Sequence, residues 1–165
     1  MIETNRFIIK KLEIVDVNAK YLGWLNDKEL IKYLLLGESD RPITLTELKK
    51  YVLEKSTNTE IYFYGIFLKN TLEHIGNIKY EIEVHSKKYF MGILIGDKSW
   101  HRKGVAVEVV SATKNFDTEI KEIYLVVNNK NMKAIKAYIK CGFKKCNIKN
   151  FHTYSNGSIM MRLDT

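Results

Sequence analysis

Two stretches in the second half of the chain carry residue types spaced for chemistry. The first is the basic turn Gly96-Asp97-Lys98-Ser99-Trp100-His101-Arg102-Lys103-Gly104, followed by Val105 and Ala106. It comes after the apolar run Met91–Ile95 and before Val105, Ala106, Val109, Val110, Ala112, Thr113 and Phe116, whose spacing predicts an amphipathic helix. A strand, a short turn and a helix start aim unpaired amide N–H groups and the positive end of a helix dipole at one point. The chemistry is anion capture, and the ligand expected there carries phosphate. The turn is neither a G-x-x-x-x-G-K-[ST] loop nor the three-glycine dinucleotide fingerprint. The second stretch, Asn131 to Phe143, predicts a helix from about Asn129 to Cys141 closed by Gly142. Helical spacing puts Ala134, Tyr138 and Cys141 on one face and Lys130, Lys133, Lys136 and Lys140 mostly on another. Taken alone, Tyr138 is a core aromatic, Asn131 a helix cap and the lysines a solvated stripe.

Together the two stretches resemble a known pair of motifs. His101 to Ala106 follows [QR]-x-x-G-x-[GA], with His101 where the pattern has Gln or Arg. Asn131 to Phe143 follows N-x-x-[AS]-x-x-x-[YF]-x-[KR]-x-G-F. In this order, one strand and one helix apart, they resemble the GCN5-related N-acetyltransferases (GNAT) over roughly Ile61 to Phe143. The resemblance implies an α/β (α+β) fold with a central, mostly antiparallel mixed sheet of six to seven strands flanked by helices. Within it, a splayed pair of parallel strands, Met91–Ile95 and Ile123–Val127, holds pantetheine between them. It implies acetyl-CoA as cofactor, contacted by backbone at Ile93, Leu94 and Ile95, by His101, Arg102, Lys103, Gly104, Val105 and Ala106 at the pyrophosphate, and by Asn131, Ala134 and Tyr138. It implies direct attack of a primary amine on the thioester in a ternary complex, with Tyr138 as general acid toward the departing thiolate. Many members of the family place a glutamate on the central strands as base. Met91–Ile95 has none, which leaves Glu81, Glu83 and His85 as candidates, Glu81 first, with a water chain as the alternative.

The opening segment, Arg6 to Leu12 followed by Tyr21 to Asp27, resembles the subgroup that contains ribosomal-protein N-terminal, amino-sugar-nucleotide and polyamine acetyltransferases. An acceptor site is expected between the N-terminal helices, around Trp24, Tyr33 and Gly37, and the last hairpin loop, around Phe151, His152 and Tyr154. Aromatics with few acids suit a nucleotide-linked amino sugar better than a polyamine. A protein N-terminus is the alternative acceptor, and a non-catalytic acyl-CoA-binding module is the alternative of another class.

The elements needed to position these residues follow from periodicity. Arg6–Leu12 reads as a strand, with Asp16 as cap of a helix over Ala19–Leu25. A short helix from Lys28 to Leu36, a break at Gly37–Pro42 and a capped helix from Thr44 to about Lys55 come next. Ile61–Leu68, His74–Val84 and Lys87–Ile95 read as an antiparallel meander, Ile123–Val127 as a central strand, and Phe143–Ile148 with Ser158–Leu163 as a closing hairpin.

Composition bounds the rest. At 165 residues, with no repeat or linker, one domain over residues 1–165 is expected. No apolar run reaches membrane-span length and Met1–Arg6 lacks a signal peptide's apolar core, so a soluble cytoplasmic protein is expected. The net charge of +8 permits nucleic-acid binding. The excess is scattered lysine, however, with arginine only at Arg6, Arg41, Arg102 and Arg162 and no interleaving with aromatics, so nucleic acid is not an expected partner. Cys141 and Cys146 lack the further ligands of a zinc site, and no metal is expected. The terminal hairpin is a surface through which a homodimer could form.

Overall fold

Alternating β-branched and aromatic residues between Ile61 and Ile95 build the middle of the sheet. The computed structural model describes residues 1–33, 41–83, 88–114, 117, 121–147 and 157–165. Its elements are β1 (Ile2–Glu3), β2 (Phe7–Lys11), α1 (Ala19–Asn26), α2 (Lys28–Ile31), α3 (Leu45–Thr57), β3 (Ile61–Leu68), β4 (His74–Glu83) and β5 (Lys88–Ile95). There follow α4 (Val105–Thr113), β6 (Glu122–Asn128), α5 (Met132–Lys140), β7 (Lys144–Lys145) and β8 (Ser158–Asp164). The strands form one sheet in the order β1-β2-β3-β4-β5-β6-β8-β7. Only β5 and β6 are parallel, and they pair at Tyr89–Ile123 and Phe90–Tyr124 alone. Beyond that point β5 stays with β4 as far as Ile95 opposite Gly76, and β6 stays with β8 as far as Asn128 opposite Ser158. The two parallel strands therefore diverge toward their C-terminal ends.

Helices cover both faces. Under α4 and α5 the core packs Phe7, Ile9, Ile78, Tyr80, Met91, Val109, Val110, Ile123, Leu125, Ile135 and Phe143. Under α1 and α3 a second core packs Leu12, Tyr21, Trp24, Leu48, Val52, Phe63 and Phe67. Among the described residues, no helix is long and apolar enough to cross a membrane.

The fold is the predicted one, with eight strands rather than six to seven. The addition is β1, two residues long and too short for alternation to announce it; the first strand of the predicted closing hairpin is present but shortened to β7, Lys144–Lys145, paired with β8. The first helix is capped by Asn18, whose side chain accepts from the Tyr21 amide at 3.0 Å. Asp16, expected as that cap, ends a single 3₁₀ turn and accepts from Lys10 Nζ at 3.0 Å. The predicted capping box stands at Thr44 and Glu47. Gly142 closes α5 at φ 98°, with the Phe143 amide donating to the Tyr138 carbonyl and the Gly142 amide to that of Ile139. Leu36, Gly37, the His85 turn, Phe116 and the hairpin loop with Phe151, His152 and Tyr154 lie outside the described residues.

One irregularity bears on the site. The β3–β4 register shifts between Ile66 and Phe67, which pair with Gly76 and His74 and leave Ile75 as an extra residue on β4. Strict alternation would send His74 and Asn77, three apart, to opposite faces. The extra residue returns both to the α1–α3 face, where His74 packs against Tyr21, Trp24 and Phe67.

Trp24 closes over Gly96: a Cβ at Gly96 would lie 2.0 Å from Trp24 Cδ2. Gly96→Ala is therefore expected to lower the free energy of unfolding by about 1–3 kcal/mol, as overpacking of a filled core does. Urea denaturation followed by tryptophan fluorescence measures it, and an unchanged midpoint would mean that Trp24 does not close on this backbone.

Candidate functional site

The divergence of β5 and β6 leaves β5 beyond Phe90 without a strand on its β6 side. At the end of this cleft, α4 begins. Its N-cap is Gly104 in the left-handed region (φ 73°, ψ 12°), with no side chain capping the first turn. The first-turn amides of an α-helix have no partner within the helix, so those of Val105, Ala106 and Val107 are left for a ligand. Arg102 is also left-handed, at φ 62°. His101 fastens this turn to the strand, its Nε2 lying 2.8 Å from the Ile95 carbonyl oxygen.

A second fastening was not visible in the sequence. Arg6, just before β2, donates from its amide and Nε to Glu108 at 3.2 and 2.7 Å, and from Nη1 to the Lys103 carbonyl at 2.9 Å. Glu108 lies in the first turn of α4, where a carboxylate is favoured by the helix dipole but would repel an incoming anion. Arg6 neutralises it while holding the turn. Burial pushes the Glu108 carboxyl up, but the Thr4 hydroxyl and Arg6 together bring it below the ordinary carboxylate value.

On the opposite face lies a cavity of about 510 Å³ lined by Tyr21 and Leu25 of α1, Arg41, Ile43, Glu47, Leu48 and Tyr51 around α3, and Phe63, Asn77, Lys79, Gly92, Ile93 and Leu94 of the sheet. The Asn26 side chain bonds both backbone groups of Ile43, at 3.0 and 2.9 Å, and so fixes α1 against the approach to α3. The one carboxylate that lines the cavity among the described residues, Glu47, is taken by Arg41 and by the Thr44 cap, which hold its pKa down to about 2. Burial raises the Tyr21 hydroxyl above its ordinary pKa, and nearby Tyr51 adds to the rise. Gly92 has open space where a side chain would be, so the β5 backbone is accessible there.

In α5, Asn131 caps the helix by accepting from the Ala134 amide at 3.2 Å. Ala134 and Tyr138 pack on the core under α4 and α5, beside Ile93 and Ile95. Tyr138 meets Phe143 edge-on, with ring centroids 5.8 Å apart. Burial, with a smaller effect of Cys141, pushes its hydroxyl up to about 12. The four lysines of the stripe, Lys130, Lys133, Lys136 and Lys140, are exposed.

The structure thus ties the His101–Ala106 turn to Ile95 at the end of β5, packs Ile93, Ile95, Ala134 and Tyr138 on the core under α4 and α5, and turns Leu94 to the other core. Two expected acceptor residues are elsewhere. Trp24 is 6% exposed and packed on Gly96 and His74, so it is a core residue and does not line the cavity. Tyr33 lies under Lys32 Nζ, also outside the cavity wall. Glu81 is tied by Lys55 at 3.0 Å and Lys79 at 3.1 Å. Burial raises its pKa, yet these two cations bring it below the ordinary value, which is the wrong direction for a base. His152 and Tyr154 lie outside the described residues. Arg6, Asn77, Tyr21, Tyr51 and Lys79 were missed, since each sits in a strand or helix pattern that periodicity already explains.

Comparison with known proteins agrees with this geometry. The family model described as "Acetyltransferase (GNAT) domain" matches residues 6–144. In sequence, no curated protein matches the chain. Among solved structures, a GNAT-family acetyltransferase from Bacillus anthracis is similar at TM-score 0.80 and 16% identity, over 99% of this chain and 97% of that one. Spermidine N-acetyltransferase from Vibrio cholerae, in complex with CoA and spermine, gives 0.79 and 18% over 98% and 96%. An aminoglycoside acetyltransferase in complex with coenzyme A and kanamycin gives 0.74 and 19% over 96% and 94%. At these identities the structures speak for the fold.

The Arg6–Glu108 tie sets a pH dependence. Because the Glu108 pKa is lower folded than unfolded, its contribution is complete above the unfolded value of about 4.3 and is lost as pH falls through the folded one. The stability difference between wild type and Glu108→Gln should be constant at neutral pH and close on acidification below about pH 4.3. A gap independent of pH, in denaturant titrations at stepped pH, would rule out an ionised tie.

Proposed function

This chain belongs to the acetyltransferase (GNAT) family, and from that premise we propose that it moves an acetyl group from acetyl-CoA to a primary amine on a small hydroxylated acceptor, such as a nucleotide-linked amino sugar. The observation that carries the reading is the meeting of two sites on one strand. The diverging β5–β6 cleft and the αL-capped start of α4 lie to one side, and the cavity opens on Gly92, Ile93 and Leu94 of the same β5.

The residues present suit coenzyme A. The β5 backbone from Met91 to Ile95 offers amide groups to pantetheine, as a missing strand would. The amides of Val105 and Ala106, with Gly104 allowing close backbone approach, suit a pyrophosphate. The donor supplies an activated thioester; the protein orients it, screens it and manages protons. The attacking amine must be neutral. Neither Glu47, at about 2, nor Glu81, held down by Lys55 and Lys79, takes a proton readily, which favours a water chain over Glu81 as the route for the proton. Tyr138, at about 12, stays protonated and donates a hydrogen bond where negative charge develops on sulfur. Full proton transfer to a thiolate of pKa about 8.5 would be uphill. Its contribution is therefore charge stabilisation, with water completing protonation of the thiol.

The cavity volume lies within the range of small-molecule sites. Among the described residues, its wall carries Lys79 and an Arg41–Glu47 pair and offers a polyamine no unpaired carboxylate.

Thiol release from acetyl-CoA, measured with nucleotide-linked amino sugars, peptides with free N-termini and polyamines, should saturate with the first set. Saturation with peptides or polyamines instead would replace the acceptor class, and failure to bind acetyl-CoA would remove the reading. Tyr138→Phe should lower kcat by about 10²–10³-fold, as loss of one donor to a developing charge does, with little change in acetyl-CoA affinity; equal loss of both would make Tyr138 structural. Wild type should show no loss of kcat traceable to Tyr138 ionisation below about pH 10. A descending limb that disappears in Tyr138→Phe would contradict the raised pKa.

A further inference from the structure

A residue of the cavity wall carries a buried hydrogen-bond donor with no partner among the described residues. Asn77 is 5% exposed and lines the cavity, and its Nδ2 has no partner among the described residues. Buried amide nitrogens are almost always paired, so an orphan in a ligand cavity calls for an explanation. Which atom of the amide is the orphan follows from chemistry. His74 Nε2 lies 3.0 Å from the Gly76 carbonyl oxygen and 2.9 Å from Asn77 Oδ1. A carbonyl oxygen only accepts, so Nε2 carries the proton. The Asn77 atom facing it must also accept, so it is the oxygen, and the nitrogen is left over.

The surroundings lock this arrangement. Phe67 stacks on the His74 ring at 4.8 Å, and Tyr21 and Trp24 pack against it at 5.4 and 5.0 Å. Burial lowers the ring's pKa and keeps it neutral. His74 Nδ1 is likewise unpartnered among the described residues, as suits a neutral ring protonated on Nε2. The β3–β4 register shift brings the pair to one face, so the donor's orientation is built into the fold.

We propose that Asn77 is a specificity-determining residue whose Nδ2 donates to an oxygen of the acceptor, and that His74 is the positioning residue that fixes the amide. This rests on the reading that the cavity receives the acceptor, and it deepens it. An N–H donor rewards a hydroxyl, ether or carbonyl oxygen and gives nothing to an ammonium. The class selected is an amine bearing oxygen near the reacting nitrogen, such as an amino sugar, against an alkyl polyamine.

The test compares wild type, Asn77→Leu, Asn77→Asp and His74→Phe on three probes: a nucleotide-linked amino sugar, its analogue lacking the ring hydroxyl next to the amine, and spermidine. Asn77→Leu should lower kcat/KM for the hydroxylated sugar about 10–100-fold, mainly through KM, and should change it less than threefold for the deoxy analogue. Asn77→Asp, which replaces the donor by an acceptor, should raise the spermidine-to-sugar preference at least tenfold. His74→Phe should lie between wild type and Asn77→Leu. Equal losses on sugar and deoxy sugar, or no loss on either, overturn the proposal. Calorimetric binding of the same probes to each CoA-bound protein decides the point without turnover. If wild type acetylates none of them, the proposed function fails, while an oxygen-dependent affinity lost in Asn77→Leu still supports this role for Asn77. Absence of that affinity overturns it. Thermal melts identify any variant that does not fold, and Asn77→Asp then replaces Asn77→Leu.

Discussion

The parting of β5 from β6 is the constraint on which the rest depends. Each strand keeps its hydrogen bonds on its outer side, β5 with β4 and β6 with β8, while the facing edges separate after two residue pairs. Open strand edges present unpaired amide and carbonyl groups, and such an edge can take a partner. A ligand that brings its own alternating amide donors and acceptors satisfies it at no cost to the sheet. The αL start of α4 then lies at the far end of the cleft, so one extended ligand with amides and a phosphate end fits both.

The sheet also separates two tasks. Alternation on β5 turns Ile93 and Ile95 toward the core under α4 and α5 and Leu94 toward the other side. Gly92, with no side chain, leaves the strand open between them. Donor and acceptor can therefore approach one short segment of backbone from opposite faces without sharing side chains. This arrangement suits direct transfer in a ternary complex.

The carboxylates around the two sites are committed. Glu108 is tied to Arg6, Glu47 to Arg41 and Glu81 to Lys55 and Lys79. An anionic donor meets little uncompensated negative charge, and none of these three groups is poised to take a proton at neutral pH. The groups proposed for chemistry among the described residues are neutral: the raised Tyr138 hydroxyl, backbone amides and the Asn77 amide.

The local signals in the sequence determined the local structure. Alternation marked β3, β4 and β5, apolar spacing marked α4, and the residues of the capping box and of Gly142 marked their helix ends, because each depends on neighbours a few positions away. The loop at His101–Ala106 was legible for the same reason, as a glycine before a helix start. The tertiary structure decided what depends on distant pairs. Trp24 looked like a binding aromatic until Gly96, 72 positions later, was found beneath it. Glu81 looked like a base until α3 brought Lys55 beside it. Arg6 and Glu108 meet across 102 residues. The pairing of His74 with Asn77 needs a register shift that alternation cannot encode, because a bulge is set by how two strands fit and not by either strand alone.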